Sequence, residues 1–292
     1  MFTEMDIRGV HLRLDQGVQS LLDQHNYPIP VASLLSEMLI VACLLSANLK
    51  LRGRLSVQIR GAGSLKWVMA ECRQLSDDAE QPFRVKGMAQ LEGEIGPQAS
   101  LAEMVGDGRL IITIEPDKGQ RYQGIVAVDQ ATLAECVESY FYQSEQLPTH
   151  IQLVSTDAAA AGFMLQRLPQ AMADENQADL DWELVHALAA TLTENELIQL
   201  PAEQVLHRLF HEQQVKTFAA RSVFQQCDCS AERCGAAIVG LGKTTVDEIL
   251  LEQEAIVIDC HFCNSHYAFD KVDCYALLEQ DVIVVEEKPA LH

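Results

Sequence analysis

The residues of this chain best suited to chemistry are its cysteines. Nine occur in 292 residues, and six of them, Cys227, Cys229, Cys234, Cys260, Cys263 and Cys274, fall within 48 residues of one another near the C-terminus. Cys260-His261-Phe262-Cys263 is a C-x-x-C, a spacing that lets two thiolates point at one ion from a single knuckle. Cys227-Asp228-Cys229 is a tighter C-x-C pair, with 30 residues between the two pairs. Four soft thiolates closing a tetrahedron suit Zn²⁺, and a shell filled by protein ligands leaves no open position for catalysis, so the expected site is structural. Two local pairs in one short module support one zinc ion per chain, held in the reduced state by Cys227, Cys229, Cys260 and Cys263. His261 and His266 are alternative nitrogen donors, although histidines so placed are more often exposed knuckle or strand residues. Cys234 and Cys274 flank the cluster as alternative thiols, with no role assigned.

Two other readings compete for the same sulfurs. A thiol-disulfide oxidoreductase would place its C-x-x-C at a helix N-terminus, where the dipole lowers the first thiol's pKa; here Cys263 is followed by NSHYAF, which reads as strand. A zinc module for nucleic acid would carry lysine and arginine around the knuckle, and this one carries Asp228, Asp259 and Asp270. Cys43, Cys72 and Cys136, in apolar or amphipathic stretches, read as small buried hydrophobes. Gly240-Leu241-Gly242-Lys243-Thr244 imitates the end of a phosphate-binding loop but has Ala237 where the first glycine belongs. No Ser-His-Asp or paired-carboxylate motif stands out, so the expectation is a protein that is not an enzyme.

The elements that must position these cysteines belong to a chain with 48% hydrophobic residues and a net charge of −21. The hydrophobic share is enough for a sizeable core, and the negative field repels phosphate backbones and anionic bilayers. The N-terminal residues show no basic region followed by an apolar one, so no secretory signal is expected. Residues 31–49 are long enough to span a bilayer, but Ser33, Ser36, Glu37 and Ser46 interrupt them and favour a buried helix. Neither nucleic acid nor membrane is expected as a partner, and the expected location is the cytoplasm.

Along the chain, residues 8–14 alternate as a strand, residues 16–25 and 31–49 read as helices, and residues 54–60, 65–72 and 83–90 read as strands. Residues 109–114 and 122–128 flank EPDKG as a hairpin, 132–146 form a helix, and 151–155 and 163–168 close the sheet. Runs of strands and helices without strict alternation indicate α+β. The expected plan is a large N-terminal mixed sheet-and-helix core (1–173), a helical linker (174–225) and a small C-terminal zinc-binding domain (226–292). In the linker, helices are expected at 181–192, from the capping pair Thr193 and Glu196, and at 202–212 after Pro201. Their apolar faces must lie on something. In the terminal module a short helix after CDCSAERC, a second capping pair at Thr245 and Glu248, strands at 255–258 and 266–269, and a short helix at 275–279 are expected.

A module this small cannot hold a large core, so a metal supplies much of its stability. Thiolates are the form that oxidants attack, and a sulfur in a disulfide is a poor ligand for Zn²⁺, so oxidation would expel the ion. The chain resembles the heat-shock protein 33 family over nearly its whole length. The segments that carry the likeness are RGVHLRLD, GRLIITIEPDKGQRYQGIVAV, TLAECVESYFYQSEQLPT, LPAEQVLHRLFHE, CDCSAERC and CHFCNSHYAFD. The resemblance implies a redox-regulated, ATP-independent holding chaperone of the stress response, inactive when reduced and zinc-bound. It implies that oxidation joins Cys227 to Cys229 and Cys260 to Cys263, releases zinc, frees the linker, exposes a surface for unfolding client proteins and produces a homodimer. Asn264, where glycine is frequent in the family, departs from the pattern, but asparagine also tolerates left-handed backbone.

Overall fold

The structure is a computed structural model that describes residues 1–14, 25–49, 52–74, 82–156, 159–169 and 175–285. Residues 16–24 of the expected helix at 16–25 and the expected boundary between residues 173 and 174 lie outside the described residues. The chain divides into two compact units, Met1–Gln226 and Cys227–His292.

The first unit opens with β1 (Ile7–Leu14), α1 (Ile29–Asn48), β2 (Gly53–Gly61), β3 (Leu65–Gln74), β4 (Phe83–Leu91), α2 (Leu101–Val105), β5 (Gly108–Pro116) and β6 (Tyr122–Ala127). It continues with α3 (Leu133–Tyr140), β7 (Thr149–Ser155), β8 (Ala160–Arg167), α4 (Glu175–Ala189), α5 (Glu194–Gln199), α6 (Ala202–Phe210) and β9 (Val223–Gln225). Six strands form one sheet in the order β6-β5-β2-β3-β4-β9, antiparallel except for the short parallel pair β4-β9. Three more form the antiparallel sheet β1-β8-β7. This is α+β, as the runs of like elements indicate.

Helix α1 is apolar on all sides because both sheets pack on it: β2, β3 and β4 from one, β1, β7 and β8 from the other. A helix of that kind is buried in a core or a membrane. By length and composition it is apolar enough to cross a bilayer, but 72% of its most apolar window is buried inside the protein, which makes it the core helix. Gly162 lets β8 approach it: a Cβ there would sit 2.3 Å from Cγ2 of Ile40. Cys43, Cys72 and Cys136 are buried in this core.

Strand β8 is apolar at nearly every position, the pattern of a strand covered on both faces. Ala160 and Met164 join the core around α1, while Ala161, Phe163 and Leu165 point into a second cluster with Phe2, Ile7 and Val154. Helices α4, α5 and α6 cover that second face with Val185, Ala189, Leu192, Leu197, Ile198, Val205, Leu209 and Phe210. Thr193 and Glu196 form the expected capping box at the start of α5. Helix α4 begins six residues before the expected start. Helix α3 ends at Tyr140 rather than Gln146 and continues as one wider turn, Phe141–Glu145, in which Glu145 accepts hydrogen bonds from the hydroxyls of Tyr122 (2.7 Å) and Tyr140 (3.0 Å).

The second unit contains α7 (Ala231–Glu252), β10 (Ala255–Asp259), β11 (His266–Asp270) and α8 (Lys271–Val285). Helix α7 is longer than the short helix expected and is broken at Gly242, whose φ of 77° no helix accommodates. The break falls at the glycine, so Thr245 already lies inside the second helical segment and the expected cap there does not form. Helix α8 extends well beyond the expected 275–279. The core of this unit is small: among the described residues, Ile238, Val246, Ile256, Phe269 and Cys274 are its buried members.

Candidate metal centre

Strands β10 and β11 pair antiparallel with Asp259 opposite His266, so residues 260–265 form the turn between them. The Cys260 amide donates to the Ser265 carbonyl (2.9 Å) and the Asn264 amide to the Cys260 carbonyl (2.7 Å). Closing so tight a turn puts Asn264 in the left-handed region, at φ 53°. On the other side, Cys227 and Cys229 lie in the loop that enters α7. Ser230 caps that helix by accepting from the Arg233 amide, and the Arg233 guanidinium donates to the Asp228 carbonyl at 2.7 Å, which fixes the backbone between the two cysteines.

These two loops bring the four predicted cysteines together. Their sulfurs all lie within 4.8 Å of one another, with Cys227 Sγ 3.5 Å from Cys260 Sγ and Cys229 Sγ 3.3 Å from Cys263 Sγ. Each sulfur of the C-x-C thus faces a sulfur of the C-x-x-C. Zn–S bonds of about 2.3 Å in a tetrahedron place sulfurs about 3.8 Å apart, so the quartet fits an ion of that size, and a four-sulfur donor set suits a soft or borderline metal. All nine cysteines are free thiols. The C-x-x-C sits between strands, without the helix N-terminus that activates a thioredoxin-type thiol.

The surroundings treat the four sulfurs differently. Burial and the neighbouring cysteines push the Cys227 thiol well up. At Cys229 the Tyr267 phenol pulls the thiol down, but burial and Cys263 outweigh it and the net shift is upward. Burial also pushes Cys263 up, yet the hydroxyl and amide of Ser265, together with Cys229 and Cys260, favour its thiolate enough to bring it to about 7. A cation among the sulfurs favours the thiolate at all of them.

The other candidates lie elsewhere. Cys274 is buried in the small core and donates towards the Phe269 carbonyl (3.6 Å), and Cys234 packs against the same core. His261 is exposed, and the His266 ring pairs with Asp259 at 2.6 Å. Gly240 to Thr244 lie along α7, where Gly242 forms the break. The hydroxyls of Tyr267 and Ser265, which reach the sulfurs of Cys229 (3.1 Å) and Cys263 (3.2 Å), were not singled out by the sequence. Their positions at and just before the start of β11, immediately after a knuckle, are the signal that could have found them.

Fold and site together define a class: an α+β body followed by a small module built around a four-cysteine centre. Known proteins make the class specific. The family profile described as Hsp33 protein matches residues 1–270, and the chain belongs to that family. A 33 kDa chaperonin from Shewanella loihica is 40% identical over 96% of this chain and 94% of its own. One from Pseudomonas paraeruginosa is 42% identical over 94% and 91%. The crystal structure of the 33 kDa chaperonin of Thermotoga maritima shares the fold, with a TM-score of 0.82 at 22% identity and coverage of 97% of both chains. The chain is therefore a member of a chaperone family, and its fold is the one that family adopts.

Proposed function

We propose that this protein is a redox-regulated, ATP-independent holdase of the cytoplasm, without catalytic activity, whose switch is one Zn²⁺ bound by Cys227, Cys229, Cys260 and Cys263. The observation that carries this reading is four sulfurs within 4.8 Å of one another in a unit whose buried core, among the described residues, has five members. The ion supplies cross-linking energy, on the order of 10–16 kcal/mol in small zinc peptides, comparable to the roughly 5–15 kcal/mol that stabilises a whole domain.

Oxidation to the disulfides Cys227–Cys229 and Cys260–Cys263 removes the donors that hold the metal, and the unit from Cys227 onward then loses its cross-link. Chain ahead of it is held to the large sheet by β9, a three-residue edge strand, and by the Gln226 amide donating to the Val85 carbonyl. So short a parallel edge is a weak tie. We read residues 174–225 as the conditional linker. Lifting α4, α5 and α6 uncovers Phe2, Ile7, Val154, Phe163 and Leu165 together with the apolar faces of the helices themselves. Leu180, Phe218 and Phe224 in the same stretch are exposed already. An apolar surface of this kind binds unfolding proteins and pairs with a second copy, so unfolding clients and a homodimer are the partners. The charge of −21 disfavours nucleic acid and membrane.

The test is light scattering from a thermally unfolding client mixed with reduced, zinc-loaded protein or with peroxide-oxidised, zinc-free protein. The oxidised form suppresses aggregation and the reduced form does not. Equal performance by the two forms would overturn the proposal.

A further inference from the structure

Two hydroxyl groups from outside the cysteine quartet reach its sulfurs, one on each local pair. Tyr267 donates to Cys229 Sγ at 3.1 Å. Ser265 Oγ stands 3.2 Å from Cys263 Sγ, and once Cys263 is a thiolate only the hydroxyl has a proton to give. Among the described residues no side-chain hydroxyl reaches Cys227 or Cys260, whose sulfurs face each other at 3.5 Å. All four cysteines are half-buried, so exposure does not rank them.

A hydrogen bond from O–H to a thiolate is charge-assisted and draws electron density from the sulfur. That sulfur becomes the weaker nucleophile, because attack on an oxidant uses the same density. Each pair therefore holds one sulfur damped by a hydroxyl, Cys229 or Cys263, and one without it: Cys260, or Cys227, which takes only the weaker Cys229 amide. We propose that Tyr267 and Ser265 are positioning residues that decide which sulfurs of the centre an oxidant meets first, steering hydrogen peroxide to Cys260 and Cys227. This rests on reading the quartet as a redox-sensitive zinc centre.

The undamped thiolate attacks one peroxide oxygen; the S–O bond forms as the O–O bond breaks, and hydroxide leaves. The damped thiolate of the same pair then attacks that sulfenic sulfur; the S–S bond forms, the S–O bond breaks, and a second hydroxide leaves. Two electrons pass from the two sulfurs to the peroxide.

The experiment uses the full-length zinc-loaded protein, Tyr267→Phe and Ser265→Ala. Zinc release under excess hydrogen peroxide is followed with a chromophoric chelator, and early sulfenic acid is trapped with a dimedone-type reagent and located by peptide mass spectrometry. Wild-type label falls on Cys260 and Cys227. In Tyr267→Phe the label at Cys229 rises about tenfold, the scale set by losing one hydrogen bond to a charged group, to join that at Cys227 and Cys260, and zinc release quickens only modestly. Ser265→Ala does the same at Cys263. With Co²⁺ in place of zinc, the sulfur-to-cobalt charge-transfer band moves to longer wavelength in both variants, a change that altered packing alone does not produce. Wild-type label on Cys229 or Cys263, or variants matching the wild type in rate, label and band, would overturn the proposal while leaving the zinc reading intact. A wild-type protein that binds neither metal overturns both. Ser265 is exposed, so its alanine variant decides the matter alone if Tyr267→Phe does not fold.

Discussion

Asn264 closes the knuckle with a φ of 53°, a conformation that costs an ordinary L residue about 1–2 kcal/mol and costs asparagine or glycine much less. Asn264→Gly is therefore expected to leave metal affinity within about twofold of wild type. Asn264→Val is expected to weaken it by about tenfold in a chelator competition, and equal affinities for the two variants would show that the turn carries no such constraint. Cys260→Ser removes one donor of the quartet and is expected to abolish stoichiometric zinc binding, measured as metal per chain. The four cysteines were legible in the sequence because both pairs are local: spacing alone put two sulfurs on each loop. Which sulfur of one pair faces which of the other was not legible, since it depends on how the loop before α7 meets the β10–β11 turn. Tyr267 was hidden for a similar reason. Its phenol reaches Cys229 across 38 residues of sequence, a contact that only the register of β11 creates.

Among the elements, those with a strong period were legible in place and extent. Strands β2 to β6 alternate, α1 is a long apolar run, and α5 announces itself through Thr193 and Glu196. Elements set by tertiary pairing were not. Strand β9 has three residues and exists because β4 offers an open edge, and the break in α7 follows from Gly242 rather than from the Thr245 spacing. The cavity that α1 and α5 share carries a further consequence. Glu37 on α1 lines a cavity of about 690 Å³ with Glu194 of α5, the only two ionisable residues on its wall among the described residues. Burial first, and Glu194 second, push the Glu37 carboxyl up to about 7. A carboxyl raised in this way contributes stability that is complete below its unfolded pKa near 4.5 and is lost as pH rises through 7. The full shift corresponds to about 3 kcal/mol. Denaturant unfolding of the Met1–Gln226 unit is expected to weaken between pH 5 and pH 8, and Glu37→Gln to flatten that slope. An unchanged slope in the variant would remove Glu37 from the account.

At the scale of the whole molecule, the two units differ in what holds them. The first surrounds α1 with two sheets and covers the smaller sheet again with α4 to α6, so its stability comes from apolar burial. Among its described residues the second has five buried core members and four clustered sulfurs. Removing the metal from reduced protein with a chelator is accordingly expected to abolish amide protection in α7, β10, β11 and α8 while leaving α1 and the six-stranded sheet protected, as hydrogen exchange would report. The most direct test of the central claim counts metal and thiols in the same sample before and after peroxide. The account predicts one zinc ion and nine reduced cysteines per reduced chain, four of them on the metal, then no zinc and five reduced cysteines. Reduced protein without metal whose C-terminal unit is fully ordered, or oxidised protein that keeps its zinc with all four cysteines in disulfides, would contradict it.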